Sequence, residues 1–171
     1  MYRAAEDAPG KLGVFVYGTL KHGLRNHDRF CGGYLRVEEA TVCGRLYDLP
    51  AGFPALVVPE ENIAATGSAD PAGDAALQAR MNAASPRAQQ PPAGGWDTVR
   101  GEYFVFGDPA RRLPALDLLE GFAPGETGLY QRALVPVGLP ARDTGLFAWA
   151  YTRRTEEGRY LPGGQWPPAT G

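Results

Sequence analysis

The sequence is poor in the side chains that most often carry nucleophilic or metal chemistry. Its 171 residues include two cysteines, two histidines and two serines. Neither serine lies in the Gly-x-Ser-x-Gly turn of a serine hydrolase, and no Cys-x-x-Cys pair or zinc-ligand spacing occurs. We therefore expect Cys31 and Cys43 to be small buried thiols, His22 and His27 to lie at the surface, and no metal to bind.

Charge and hydropathy exclude further classes of protein. The formal net charge of −2 leaves no basic excess to hold a phosphate backbone, and no phosphate-binding glycine loop is present. No apolar run reaches the 18 or more residues of a membrane span, and the first ten residues lack the apolar stretch of a secretory signal. We expect a cytoplasmic monomer or weak dimer with no nucleic-acid and no membrane partner.

Three segments differ in composition from the rest of the chain. Residues 1–11 are polar without periodicity and are expected to be loose, whereas 155–171 are rich in proline and glycine and are expected to be an extended tail. Residues 59–97, rich in alanine, proline and glycine, are interpreted as a mobile insertion or lid with a short helix on which Leu77 and Met81 share a face. The prediction is one domain, 12–154, carrying this insertion.

The remaining chain predicts strands and one clear helix. Short apolar or alternating runs indicate strands at 12–17, 37–49, 54–58, 99–106, 130–137 and 146–153. Asp108 and Pro109 predict the start of the helix and Gly121 its end. Pro114 is expected to break this helix into two turns or to restart it. Many strands with one or two helices indicate an α+β fold with a small barrel or strongly curved sheet.

A loop at the end of the first predicted strand has the features of an anion site. The strand runs directly into Tyr17-Gly18-Thr19-Leu20. A glycine there lets successive amide N–H groups face a ligand closely, which suits a carboxylate or an oxyanion. The alternative is a plain strand-ending turn.

Glu120 is the second candidate, at the end of the predicted helix. It lies beside a stripe of leucines, so that partial burial and the helix dipole both favour a raised carboxyl pKa. A carboxyl tuned toward neutrality suits a general base. The alternative is a solvated glutamate on a frayed helix end, and Asp117, one turn earlier, is expected to be solvated.

Short motifs follow one another along the chain in a distinctive order. They are Tyr17-Gly18-Thr19-Leu20, Lys21-His22-Gly23 with Asn26-His27, and residues 44–49, 53–57, 99–102, 116–121, 130–132 and 148–151. In this order they resemble the γ-glutamylcyclotransferase-like superfamily, on its AIG2-like and γ-glutamylamine cyclotransferase side. The resemblance covers most of the chain from residue 12 to 151, and the insertion departs from it. It implies a small mixed β-barrel flanked by short helices, with the Tyr17–Leu20 loop at the mouth of a pocket.

The resemblance also implies a reaction. The α-amine of a small γ-glutamyl substrate attacks its own γ-carbonyl, releasing an amine and 5-oxoproline, with no metal or cofactor. Glu120 is implied as the general base, with Tyr17 and the amides of Gly18, Thr19 and Leu20 holding the substrate carboxylate or the oxyanion.

Three further residues keep two interpretations each. Tyr130 and Tyr151 bind the substrate amine or carboxylate, or only pack the barrel, and Arg132 meets a carboxylate or faces solvent. Two other functions also stay open. One is a non-catalytic small-molecule-binding or interaction module on the same fold, and the other is a γ-glutamyl hydrolase in which water replaces the attacking amine.

Overall fold

Eight strands and three helices make up the fold in a computed structural model, which describes residues 10–84, 94–126, 128, 130–153 and 157–169. The strands are β1 (Leu12–Val16), β2 (Arg36–Asp48), β3 (Pro54–Val57), β4 (Ala65–Thr66), β5 (Asp97–Phe106), β6 (Gln131–Leu139), β7 (Thr144–Thr152) and β8 (Arg159–Leu161). The helices are α1 (His27–Cys31), α2 (Pro71–Ala84) and α3 (Pro109–Glu120). Residues 1–9 of the predicted loose N-terminus and residues 85–93 of the predicted insertion lie outside the described residues.

Five of the strands close into a barrel. Their order is β2-β5-β1-β7-β6, and β6 pairs back to β2 where Thr41 meets Gly138. The pairing of β1 with β7 is parallel, and the other barrel pairings are antiparallel. The predicted fold class, an α+β small mixed barrel flanked by short helices, is therefore confirmed.

Alternation along the strands produces two apolar layers. In β7, Ala148 and Ala150 join the cluster inside the barrel, whereas Trp149 and Tyr151 join the cluster outside it. The outer cluster is covered by α3 through Leu113 and Leu116 and by α2. This period-two pattern is what the sequence predicted for β7.

Helix α3 is continuous, which corrects the expected break at Pro114. The helix starts with Pro109 and ends at Gly121, which adopts the left-handed conformation with φ 68°. Pro114 lies within it at an exposed position. A proline near the start of a helix forfeits a single backbone hydrogen bond, and packing of the leucine stripe outweighs that loss.

Helix α2, inside the predicted insertion, packs directly on the barrel. Leu77 and Met81 share the face that contacts the outer cluster. Gln78 both donates to the carbonyl oxygen of Gly13 and accepts from its N–H, each at 3.0 Å. Asn82 likewise bonds both backbone groups of Phe147, at 3.2 and 2.7 Å. The helix therefore bridges β1 and β7 where their own pairing is short.

The described part of the predicted C-terminal tail also contacts the barrel. Strand β8 pairs with β2, and Trp166 packs against the inner cluster while its indole N–H donates to Asp48 at 2.9 Å. Within the described residues, no helix has the length and apolar character needed to cross a membrane.

Candidate functional site

One pocket brings together all seven residues that the sequence analysis proposed for the site. It lies between the end of β1, the end of α3 and one end of β7. Its lining includes Tyr17, Gly18, Thr19, Leu20, Glu120, Tyr130 and Tyr151. Phe53 and Pro54 complete one wall, and neither was proposed from the sequence.

The Tyr17–Leu20 loop presents unpartnered amides to this pocket. Its carbonyl oxygens accept hydrogen bonds from the residues that follow, since Lys21 N–H donates to Gly18 at 3.1 Å and Asn26 N–H to Thr19 at 3.0 Å. Within the described part of the chain, the amides of Gly18, Thr19 and Leu20 have no acceptor. Such donors are costly to leave unpaired unless water or a ligand serves them, so the loop suits an anionic group.

A glycine is required at position 18 by close packing. A Cβ atom there would lie 2.7 Å from Cγ of Pro54, a contact that real side chains do not make. Because Pro54 itself lines the pocket, the absent side chain lets the loop approach the opposite wall. From the sequence, the glycine was expected to let amide N–H groups approach a ligand closely, and the structure adds its close contact with Pro54 as a second reason.

Glu120 is held in the last turn of α3, which Gly121 terminates. The amide of Phe122 returns to Asp117 O at 2.9 Å and thereby fixes that turn. Burial raises the pKa of the Glu120 carboxyl from 4.5 to about 7. Over the residues that the structure describes, this carboxyl has neither a salt bridge nor a hydrogen bond, so no cation offsets the cost of burying it.

Three tyrosine hydroxyls surround the carboxyl, and each donates its proton to the protein. Tyr17 donates to the carbonyl oxygen of Tyr151 at 2.6 Å and Tyr130 to that of Pro54 at 2.7 Å. The Tyr151 hydroxyl donates to Asp117 Oδ1 at 2.7 Å. Burial raises the pKa of all three hydroxyls, and the negative charge of Glu120 raises it further in each. They stay protonated. The backbone of Leu56 already hydrogen-bonds the Tyr17 oxygen and the side chain of Arg153 the Tyr130 oxygen, which leaves Tyr151 as the hydroxyl whose lone pairs a ligand can use.

Asp117 and Arg132 form an ion pair beneath the pocket, which corrects the expectation that Asp117 is solvated. Arg132 is fully buried. Its guanidinium donates to Asp117 at 2.8 and 3.2 Å and to Asp74 at 2.8 Å. Of the two interpretations of Arg132, the structure shows the one in which it meets a carboxylate. No sequence signal identified Asp74 as a partner, because it lies in the segment interpreted as an insertion.

The described cysteines and histidines form neither a reactive thiolate site nor a cluster of metal ligands. Burial raises the pKa of the Cys31 thiol to about 12, so it carries no thiolate at neutral pH. The expectation that His27 lies at the surface is wrong, because it is only 5 % exposed. Its Nδ1 lies 3.1 Å from the carbonyl oxygen of Leu20, the last residue of the loop. Among the described residues, no cluster of three or more metal-ligating side chains occurs.

Comparison with known proteins identifies relatives of the whole fold. The family model for gamma-glutamyl cyclotransferase, AIG2-like, matches residues 14–83 and 73–168. No curated protein matches the chain significantly. The crystal structure of YkqA from Bacillus subtilis shares 20% identity and a TM-score of 0.54 over 91% of this chain, which spans 39% of the length of YkqA. A solution structure of an Arabidopsis thaliana protein shares 18% identity and a TM-score of 0.55, covering 96% of this chain and 82% of that protein.

Proposed function

Because the chain belongs to the AIG2-like γ-glutamyl cyclotransferase family, we propose that it converts a γ-glutamyl amine or peptide into 5-oxoproline and the free amine. One observation carries the proposal: a partly buried carboxyl with a pKa of about 7 shares a pocket with three unpartnered backbone amides. A base and a set of oxyanion donors are the two elements that this reaction requires.

The polarity of the pocket supports an α-amino acid as the ligand. The loop amides of Gly18, Thr19 and Leu20 are donors and suit the substrate carboxylate and the γ-carbonyl oxygen. The hydroxyl of Tyr151 offers only lone pairs, because its proton is already donated to Asp117. Lone pairs beside Glu120 suit an ammonium group. We therefore assign the loop to the anionic groups and Tyr151, beside Glu120, to the amine.

The proposed reaction removes two protons from the attacking nitrogen, which is an ammonium in the substrate and a lactam N–H in 5-oxoproline, and adds one proton to the leaving nitrogen. Glu120, ionised near neutral pH, takes a proton from the α-ammonium, and the free amine nitrogen attacks the γ-carbonyl carbon. The carbonyl oxygen gains negative charge, which the loop amides stabilise. The γ-amide C–N bond then breaks as Glu120 returns the first proton to the leaving nitrogen, and the regenerated carboxylate takes the second proton from the ring nitrogen and passes it to solvent. Because the attacking amine and the γ-carbonyl belong to one molecule, the pocket has to hold the substrate in a folded conformation and does not have to bind a second reactant.

Product analysis tests the proposal and separates it from its alternatives. The protein is incubated with a panel of γ-glutamyl amines, γ-glutamyl amino acids and γ-glutamyl peptides, and 5-oxoproline and glutamate are quantified. We expect 5-oxoproline and the free amine in equal amounts. Glutamate without 5-oxoproline identifies a hydrolase, and saturable binding of panel members without either product identifies a binding module. The panel member with the highest kcat/KM identifies the class of leaving amine.

A further inference from the structure

A buried cluster of charged groups lies directly behind the pocket. Arg132 is at its centre, and every nitrogen of its guanidinium donates: Nε to Asp117, one terminal nitrogen to Asp74, and the other to Asp117 and the Ser68 carbonyl oxygen at 3.0 Å. Asp74 is itself fixed by the N–H and hydroxyl of Ser68, at 2.8 and 2.7 Å. The cluster thus joins α2, α3 and β6.

Neighbouring groups hold the guanidinium in one place. The rings of Trp149 and Phe122 lie with their centroids 5.1 and 5.2 Å from its central carbon. The backbone of Gly67 lies so close that a Cβ atom there would be 2.6 Å from that carbon. A side chain that is hydrogen-bonded through every nitrogen and has no free volume cannot change rotamer cheaply. Arg132 therefore fixes the orientation of the Asp117 carboxylate that it binds at two oxygens.

Asp117 connects this cluster to the pocket. Its Oδ1 accepts from Arg132 and also from the hydroxyl of Tyr151, at 2.7 Å. The tyrosine proton is thereby directed away from the pocket, and its lone pairs are left for a ligand. Without that acceptor the hydroxyl could rotate and present its proton to the pocket, where it would oppose a ligand N–H.

We propose that Asp117 is a positioning residue for substrate amine recognition, which acts by holding the Tyr151 hydroxyl as an acceptor and is itself held by Arg132 and Asp74. This inference rests on the function proposed above. Asp117 does not touch the substrate; its effect passes through one hydrogen bond. Asp74 of the insertion helix α2 neutralises the side of Arg132 that Asp117 does not bind, and it stabilises the cluster without contacting Asp117 or Tyr151.

The test uses two probes that differ only in the amine. L-glutamine is the smallest γ-glutamyl amide, and glutaramate is the same molecule without its α-amine. Their affinities are measured by NMR titration or calorimetry at pH 8, for the wild type and three variants. Tyr151→Phe removes the hydroxyl and leaves every ion pair intact. Asp117→Leu removes the acceptor of the hydroxyl, whereas Asp74→Leu removes the other carboxylate of Arg132 and leaves Tyr151 bonded.

The expected result is a loss of amine preference in two of the variants. The wild type binds glutamine more tightly than glutaramate. Tyr151→Phe and Asp117→Leu lose about tenfold of that preference, as expected for a hydrogen bond to a charged group. Asp74→Leu lowers the thermal midpoint, as Asp117→Leu does, but keeps the preference. Since Arg132 retains one carboxylate in either leucine variant, both remain charge-paired.

Three other results overturn the inference, and they are distinguishable. If the wild type binds neither probe, or binds both equally, the inference fails, and the 5-oxoproline assay decides separately whether the proposed function stands. If the wild type prefers glutamine and Asp117→Leu keeps that preference, only the positioning role is wrong. Should both leucine variants fail to fold, Tyr151→Phe decides, because a retained preference there refutes the inference while the proposed function stands.

Discussion

Replacing Glu120 by glutamine is expected to make the protein more stable while removing its activity. Burial raises the Glu120 pKa from 4.5 to about 7, so ionisation is less favourable in the folded protein than in the unfolded chain. The resulting penalty on folding is absent below pH 4.5, grows as the pH rises through that window and is complete above pH 7. Above pH 7 it amounts to about 3 kcal/mol.

Glutamine keeps the size of the side chain and carries no charge at any pH. The thermal midpoint of Glu120→Gln at pH 8 should therefore exceed that of the wild type by about 6 to 12 °C, taking 2–4 °C per kcal/mol for a chain of this length. At pH 4 the two midpoints should coincide. Glu60→Gln, at an exposed position, is the matched control and should change the midpoint little at either pH. Turnover should fall by about 100-fold or more, because glutamine cannot accept the proton.

Calorimetry measures the stability change, and the 5-oxoproline assay measures the loss of turnover. A Glu120→Gln variant no more stable than the wild type at pH 8 would show that the carboxyl is well solvated and therefore not tuned toward neutrality. A stabilised variant with near-normal turnover would show that the desolvation is real but that another group accepts the proton.

Further predictions concern pH, the loop, the insertion helix and a thiol. The kcat/KM of the wild type should rise with pH through about 7, as Glu120 loses its proton; a flat profile between pH 5 and 9 contradicts this. Gly18→Ala should fold but lose about tenfold or more in kcat/KM, because its Cβ displaces Pro54. Gln78→Leu leaves both backbone groups of Gly13 unpaired and should cost about 2–5 kcal/mol in urea unfolding; Arg80→Leu, exposed on the same helix, should cost little. Cys31 should react with alkylating reagents only after unfolding, and rapid labelling of the native protein would contradict its burial.

Local sequence patterns were enough to predict most of the strands and the helix α3. Period-two alternation predicted β7 with its two faces, and Gly121 correctly predicted the end of α3. Strands β4 and β8 escaped detection because each is only two or three residues long and is ordered by a partner strand distant in the chain. Two glycines show the same difference between local and distant causes. Gly121 ends α3 in the left-handed conformation, which the helix pattern alone predicts, whereas Gly18 is required by contact with Pro54 in a different part of the chain.

Polar residues directed inward were the ones that sequence reasoning could not place. Asp117 looked solvated because its helix position borders the polar side, and only the crossing of α3 with β6 brings Arg132 beneath it. Gln78 and Asn82 lie in an alanine-rich segment with little hydropathy pattern, so nothing local marked them as buried. A residue whose role is to pair with a distant backbone group leaves no periodic signal in its own segment.

The position of α2 also has a consequence for the order of folding. The parallel seam of the barrel joins Val14 to Trp149, about 135 residues apart, and is the most distant closure in the sheet. Gln78 and Asn82 lie midway, each 65 residues from the backbone that it bonds. One long closure is thereby divided into two shorter ones, and once α2 has docked on either strand the second loop to be closed is half as long. Halving a loop saves only about 0.6 kcal/mol of chain entropy. It also allows β1 and β7 to be brought together in two steps through α2, rather than in one closure of the whole loop. We expect Gln78→Leu to slow refolding as well as to lower stability, whereas a segment that only covered the pocket would leave the refolding rate unchanged.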